Sequence, residues 1–219
     1  MIKIEKVDIY GWKAAIRGMR NPKNSWDKSD SVFSMGDTFI GDNDLKLMKT
    51  LAKAGSDHGK FLRMITVTLD ITAPLYWWKE FDTYKVGTVA DSCSTMHKIQ
   101  AKEFTLNDFS HEHLDSGSIY ILNEVIRTLN DNRKLFVAFD KEDKFIVDWC
   151  GLDKKVYWWQ MIQLLPSSYN QKRTVQLNYQ VLKAMYFARK DHKLDEWRTF
   201  CDWIKTLPYN ELIIGDTNG

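Results

Sequence analysis

The sequence predicts an α+β domain, rich in helix, with a small antiparallel sheet. Three observations lead there. Apolar residues recur at helical three-four spacing in five or six segments, β-branched alternation marks only two or three short ones, and the segments do not alternate as strand-helix-strand units would. With 219 residues, 44% of them hydrophobic, the chain is long enough to bury one sizeable core, and a single domain over 1–219 is expected.

The elements follow in order. Ile2, Ile4, Val7 and Ile9 alternate with charged residues and predict an N-terminal strand. Gly11 to Thr38 is rich in Gly, Asn, Ser and Asp, so a long irregular loop over about 11–38, with at most a short helix, is expected. Asp44 stands where it would cap a helix carrying Leu45, Met48, Leu51 and Ala52 on one face, with Gly55 as its stop. Phe61 to Thr72 holds the β-branched run of a strand, Pro74 is placed to open a helix, and Gly87 to close it. Ile119, Leu122, Ile126 and Leu129 predict a third helix. A fourth is expected from about Asp143 to Leu165, with the stripe Phe145, Trp149, Leu152 and Val156, ended by Pro166. Two more helices are predicted over Arg173 to Arg189 and from Leu194 through Ile204.

Charge excludes several functions. The 31 basic and 29 acidic side chains nearly cancel, so no global field draws the chain to nucleic acid or an anionic membrane. No apolar run reaches the roughly 20 residues of a membrane span, and the N-terminus is unlike a signal peptide; a cytoplasmic location is expected. Cys93, Cys150 and Cys201 are widely spaced and predict reduced thiols. Nine tryptophans include the adjacent pairs Trp77-Trp78 and Trp158-Trp159. Neighbours on a helix lie about 100° apart, so each pair covers a broad arc that is not expected to point wholly inward; a subunit interface covering some of them is the leading reading, and an ordinary wide core face the alternative.

The chain contains no HExxH, no zinc-type Cys/His spacing, no calcium loop, no phosphate loop and no nucleophile elbow, so no metal site is predicted. The segment Gly87-Thr-Val-Ala-Asp-Ser-Cys-Ser-Thr-Met-His97 is the most site-like stretch. It gathers the hydroxyls of Thr88, Ser92, Ser94 and Thr95 with Cys93 and His97, near Lys79, Lys85 and Lys98. Small hydroxyls and free backbone N–H groups after a glycine suit an anion such as a nucleotide phosphate. The same residues also suit a polar connection in which Ser caps the next element. On the predicted later helix, Asn178, Leu182, Met185 and Arg189 share one face. An arginine in an apolar stripe needs an acidic partner or a ligand's carbonyl or phosphate.

Several stretches together resemble the flavin-dependent thymidylate synthases. They are LMKTLAKAG (Leu47 to Gly55), His58, the strand into ITAP (Ile71 to Pro74), the aromatic helix with its Ser/Thr loop, LLP (Leu164 to Pro166), Asn178 in QLNYQ, Arg189 in FARKDH and LDEW (Leu194 to Trp197). The family's signature is an Arg-His-Arg triplet, a Ser three positions on, and a Ser-x-Arg. Here these fall on Thr83, Tyr84 and Lys85, on Thr88, and on Cys93, Ser94 and Thr95, leaving one cation of three.

The resemblance implies a homotetramer with shared sites, FAD as cofactor, dUMP as substrate, and methylenetetrahydrofolate and NADPH as co-substrates. It implies a thymidylate synthase-like protein that binds a pyrimidine nucleotide and modifies C5 of the base. Carried over by position, His58, Tyr84, Lys85 and Asn178 are directed to flavin, Thr88, Ser92, Cys93, Ser94 and Thr95 to the nucleotide, and Arg189 to activation of the pyrimidine. The alternative is a non-catalytic nucleotide-binding or interaction protein that kept the fold and lost flavin. A changed activity using Cys93 and His97 is a third reading.

Overall fold

The computed structural model describes residues 1–34, 38–140 and 153–215. Among them the chain runs β1 (Lys3–Tyr10), α1 (Trp12–Arg20), β2 (Val32–Phe33), β3 (Thr38–Phe39), α2 (Asp42–Lys53), β4 (Thr66–Pro74), α3 (Leu75–Phe81), β5 (Val89–Ser92), α4 (Thr95–Lys98), α5 (Ser116–Asp140), α6 (Lys154–Leu164), β6 (Asn170–Asn178), α7 (Tyr179–Arg189), α8 (Asp195–Ile204) and α9 (Glu211–Ile214). The larger sheet has the strand order β1-β4-β6-β5, and β2 pairs with β3. The fold is helix-rich with a small antiparallel sheet, as its patterning predicts.

The chain packs as two units. One comprises Ile2–Ile71, Phe81–Asp91 and the chain from Thr174 onward; the other comprises Thr72–Glu80 and Ser92–Arg173, with Met1. In the first, β4 alternates strictly: Val67, Leu69 and Ile71 are buried, while Thr66, Thr68 and Asp70 are half-exposed. This period of two is what a strand with one face on a core requires. Leu182, Met185, Trp197, Phe200 and Ile204 bury the facing stripes of α7 and α8, each worth about 1.5–3 kcal/mol of apolar transfer. In the second unit, α5 packs on α6 around Leu122, Ile126, Leu129 and Met161, joined by Ile99, Phe104 and Phe109. Asn130 closes this core's polar account, accepting from Phe104 N–H at 2.9 Å and donating to Phe104 C=O at 2.8 Å.

Several expectations are corrected. The 11–38 segment opens with a nine-residue helix, α1, whose Trp12, Ala15, Ile16 and Met19 form a buried stripe; short 3-10 turns at Asn21–Lys23 and Trp26–Lys28 and the β2-β3 ladder follow. Gly11 makes this possible, since its φ of +94° is left-handed and a Cβ there would stand 1.9 Å from the Met64 carbonyl oxygen. Asp44 does not cap α2 but lies inside it, fully buried; Gly41 holds the N-cap position. The strand placed at Phe61 begins at Thr66, after a 3-10 turn over Gly59–Met64. Gly87 does not end α3, which stops at Phe81. The segment from Arg173 is not one helix: Gln171, Val175 and Leu177 are buried at strand spacing in β6, and the helix starts only at Tyr179. Of the predicted fourth helix, Phe145, Trp149 and Leu152 lie outside the described residues, and Lys154–Leu164 is helical.

Trp77 and Trp78 are both fully buried, against expectation. Helix α3 is only seven residues long and is enclosed rather than laid on a surface. Its first amides bond to the carbonyls of Tyr169 and Ser167, Trp78 donates its indole N–H to Gln171 C=O at 2.9 Å, and the Arg173 guanidinium lies 4.2 Å over the Trp78 ring. The second pair is partly wet: Trp159 is 42% exposed, while Trp158 donates to Met96 C=O at 3.0 Å.

Candidate functional site

Arg189 closes α7, where a cation is also favoured by the helix dipole. Its Nε donates to the Tyr84 hydroxyl at 3.0 Å, and its guanidinium carbon lies 4.9 Å from the Trp197 ring centre and 5.7 Å from that of Tyr84. Trp197 is fully buried in α8, with Phe81 stacked at 6.4 Å and Phe200 edge-on at 5.9 Å. Tyr84 itself meets Trp197 edge to face at 6.0 Å. The arginine is thus held against an aromatic wall whose own position is fixed by the core, an arrangement that orders a flexible cation before any ligand arrives.

Tyr84 also lines a cavity of about 280 Å³, together with Phe81, Asp82, Lys85, Thr88 and Ala90. The Thr88 hydroxyl oxygen is buried with no hydrogen-bond partner among the described residues. Such a group costs about 1–3 kcal/mol when left unmade, which suits a place where a ligand completes the bond. Gly87 shapes the same loop. Its φ is +77°, and a Cβ would lie 2.9 Å from Asn178 Nδ2. Asn178, at the junction of β6 and α7, accepts the Val181 N–H at 3.0 Å through Oδ1 and so caps α7.

A second, larger cleft of about 1210 Å³ lies in the same unit. His58 lines it, with Lys23, Lys28 and Lys60 as cations and Leu47, Leu51, Phe61 and Met64 among its apolar wall.

The remaining predicted residues belong to the other unit. Ser92 ends β5 and is exposed. Cys93 is exposed, with its backbone N–H on Lys172 C=O and its C=O on the Gln171 side chain, both at 2.9 Å. Ser94 Oγ accepts the His97 N–H at 3.1 Å and caps α4, whose first residue is Thr95. For Ser94 the capping reading is therefore the observed one. No group of three or more His, Cys, Asp or Glu able to hold a metal occurs among the described residues.

Compared with solved structures, Helicobacter pylori thymidylate synthase X with FAD and dUMP matches across 98% of this chain and 98% of its own, at a TM-score of 0.64 and 13% identity. The chain has the thymidylate synthase X fold. A second Helicobacter pylori structure of that enzyme, also complexed with FAD and dUMP, matches over 97% of this chain and 98% of its own at a TM-score of 0.65, again with 13% identity. The UMP/dUMP methylase PolB from Streptomyces cacaoi, bound with 5-Br dUMP, matches over 97% and 94% at a TM-score of 0.59, also with 13% identity. No protein-family model matches the sequence, and no curated protein does. At this identity the likeness is one of fold.

On this thymidylate synthase X fold, the residues selected from sequence fall into three places. Tyr84, Lys85 and Thr88 share one cavity, with Arg189 behind Tyr84 and Asn178 beside Gly87 of the same loop; His58 faces the larger cleft; and Ser92 to Thr95 lie in the other unit. Trp197, which holds Arg189, had no functional reading in the sequence. Its signal was the tryptophan in LDEW, eight positions after an arginine whose charge needed a partner.

Proposed function

We propose that this chain binds a dUMP-like pyrimidine nucleotide, at the cavity walled by Tyr84, Lys85 and Thr88. One observation carries the reading. The Tyr84 hydroxyl proton, the Lys85 ammonium and the Thr88 hydroxyl have no acceptor among the described residues, and all three line the same cavity. A pyrimidine nucleotide presents what such donors lack, namely ring carbonyls and phosphate oxygens. The solved proteins of this fold support the choice, since those compared were crystallised with dUMP or its bromo derivative. Of the residues that the resemblance directs to the nucleotide, Thr88 lines this cavity, whereas Ser92, Cys93, Ser94 and Thr95 belong to the other unit and are not among its walls.

A second reading, a flavin-dependent enzyme that modifies C5 of the base, is favoured by the larger cleft. FAD does not fit a cavity of about 280 Å³, and Asn178 uses its Oδ1 as a helix cap. The cleft of about 1210 Å³ has the room, and His58, Lys23, Lys28 and Lys60 are the side chains that would hold an aromatic, diphosphate-bearing group there. Bound FAD would supply the redox chemistry for which methylenetetrahydrofolate and NADPH are co-substrates. A homotetramer accompanies either reading, supported by the exposed Tyr120 and Ile121 on α5, and so does a cytoplasmic location. No helix among the described residues is long and apolar enough to cross a membrane.

Calorimetric titration of the full chain with dUMP, and then with FAD, separates these. Binding of dUMP tighter than about 100 μM, near 5.5 kcal/mol, is expected. No heat up to about 10 mM dUMP, a level corresponding to only about 2.7 kcal/mol, would remove the nucleotide reading. FAD binding that quenches tryptophan fluorescence and tightens with dUMP selects the enzyme; dUMP binding with no FAD binding selects the nucleotide-binding protein.

A further inference from the structure

We infer that Tyr84, rather than Arg189, makes the contact with the nucleotide, and that Arg189 is a positioning residue acting through the Tyr84 hydroxyl. This rests on the nucleotide reading above. It moves Tyr84 from the flavin, where the resemblance put it, to the nucleotide, and Arg189 from the ligand to the layer behind it.

The direction of the hydrogen bond carries the argument. A guanidinium has five N–H donors and no acceptor, so between Arg189 Nε and Tyr84 Oη, at 3.0 Å, the arginine donates and the phenol oxygen accepts. The phenol's own proton is then left to donate elsewhere. Among the described residues nothing accepts it, and Tyr84 is a wall of the cavity of about 280 Å³ while Arg189 is not. The chain Arg189 N–H to Tyr84 O–H to a ligand oxygen is therefore complete except for its last member. Each bond in such a chain polarises the next, and a charged first donor strengthens the second donation more than a neutral one would.

The packing explains why the arginine stays behind the tyrosine. Its guanidinium lies over the Trp197 ring, and Trp197 is immobilised between Phe81 and Phe200 in the core. Swinging Arg189 into the cavity would forfeit both the ring contact and the bond to Tyr84. The ligand class follows from the donors. Tyr84, Lys85 and Thr88 favour an oxygen acceptor, which in a pyrimidine nucleotide is a ring carbonyl or a phosphate oxygen.

The test uses the full-length protein labelled with tyrosine carrying carbon-13 at Cζ, the ring carbon bonded to the hydroxyl. Its Tyr84 signal is identified by its loss in Tyr84→Phe. Titration with dUMP should move that signal in step with the calorimetric saturation. Deoxyuridine alone moving it identifies a ring carbonyl as the acceptor, and inorganic phosphate alone moving it identifies a phosphate oxygen. Tyr84→Phe should weaken dUMP binding about threefold to tenfold, the loss of one such hydrogen bond. Arg189→Gln should weaken it similarly in the wild-type background and hardly at all when Tyr84 is already Phe. Arg189→Lys, which keeps the charge and the packing stem, guards against a folding defect and should show the same dependence on Tyr84. An arginine effect that persists undiminished in the Tyr84→Phe background shows direct contact and overturns the inference. Saturating dUMP with a motionless Tyr84 signal also overturns it. No calorimetric binding of dUMP to the wild-type chain removes the nucleotide reading itself, and this inference with it.

Discussion

Arg20 and Asp44 form a buried ion pair, with Arg20 Nε donating to Asp44 Oδ1 at 2.6 Å and the two residues only 4% and 0% exposed. The pair ties α1 to α2, and its remaining valences are filled locally. Asp44 Oδ2 also accepts the hydroxyls of Ser29 and Ser31 at 2.7 and 2.6 Å, while Arg20 donates to the carbonyls of Ser25 and Lys28. A buried pair satisfied this fully is costly to break from one side, because the orphaned charge stays in the core. Asp44→Asn is expected to lose about 3–5 kcal/mol. Urea unfolding at neutral pH measures it, and a loss below about 1 kcal/mol would show that the pair is not closed to water.

The same aspartate sets a pH dependence. Burial pushes the Asp44 carboxyl up, but the hydrogen bonds from Ser31, Ser29 and Arg20 outweigh it and hold the group below its ordinary value. A carboxyl with a depressed folded value contributes stability that is full above its unfolded value, about pH 4, and is lost as pH falls through the lower, folded one. Stability of the wild-type chain should therefore decline below about pH 4. Asp44→Asn should lack this part of the acid limb. Melting curves taken between neutral and acid pH compare the two slopes, and parallel slopes would refute the assignment.

Gly87 is required twice over. Its left-handed φ of +77° strains any L side chain by about 1–2 kcal/mol, and an added Cβ would press on Asn178 Nδ2 at 2.9 Å. Gly87→Ala should lower stability by about that amount and also weaken dUMP binding, because Thr88 follows directly in the chain. A variant with wild-type melting temperature and wild-type dUMP affinity would contradict both halves.

The helices with long, undisturbed apolar stripes were legible from sequence, and α5 with Ile119, Leu122, Ile126 and Leu129 is the plainest case. Helix α1 was not, because its stripe lasts only nine residues between Gly11 and Asn21-Pro22, and turn-forming residues dominate any wider window. Strand β6 was hidden by Lys172 and Arg173, whose presence beside Val175 and Leu177 suits an amphipathic helix equally well. Arg189 stood out as a cation in an apolar stripe, but its partner Tyr84 is 105 positions away and neither residue's spacing records the contact. The Arg20-Asp44 pair was invisible for a related reason. Single charges in a polar stretch look solvated until the fold buries them.

Asn178 separates a structural from a ligand-binding role by substitution. Its Oδ1 caps α7 through Val181 N–H. Asn178→Asp keeps an equivalent cap acceptor, so stability should hold, whereas Asn178→Ala should lose about 1 kcal/mol. Thermal unfolding of the two variants checks this. A fall with Asp as large as the fall with Ala would mean that the Nδ2 side facing Gly87, and not the cap, is the stabilising contact.

The two described thiols should differ sharply in reactivity. Cys93 is exposed, whereas Cys201 lies buried in α8, where burial, helped by Asp202, pushes its thiol up to about 11. Alkylation proceeds through the thiolate, so iodoacetamide at about pH 8 should modify Cys93 at least about a hundredfold faster than Cys201 in the folded protein. Peptide mapping against time measures the ratio, and comparable rates would show that Cys201 opens to solvent. The modified protein also tests the site. The cavity walls are Phe81, Asp82, Tyr84, Lys85, Thr88 and Ala90, with no cysteine among them. The Cys93 backbone is pinned by Lys172 and Gln171 whatever its side chain carries. Carbamidomethylated Cys93 should therefore leave dUMP affinity within about twofold of the unmodified chain, a difference of about 0.4 kcal/mol. A larger loss would bring the Cys93 loop into the nucleotide site and revive a role for the thiol that the cavity geometry does not require.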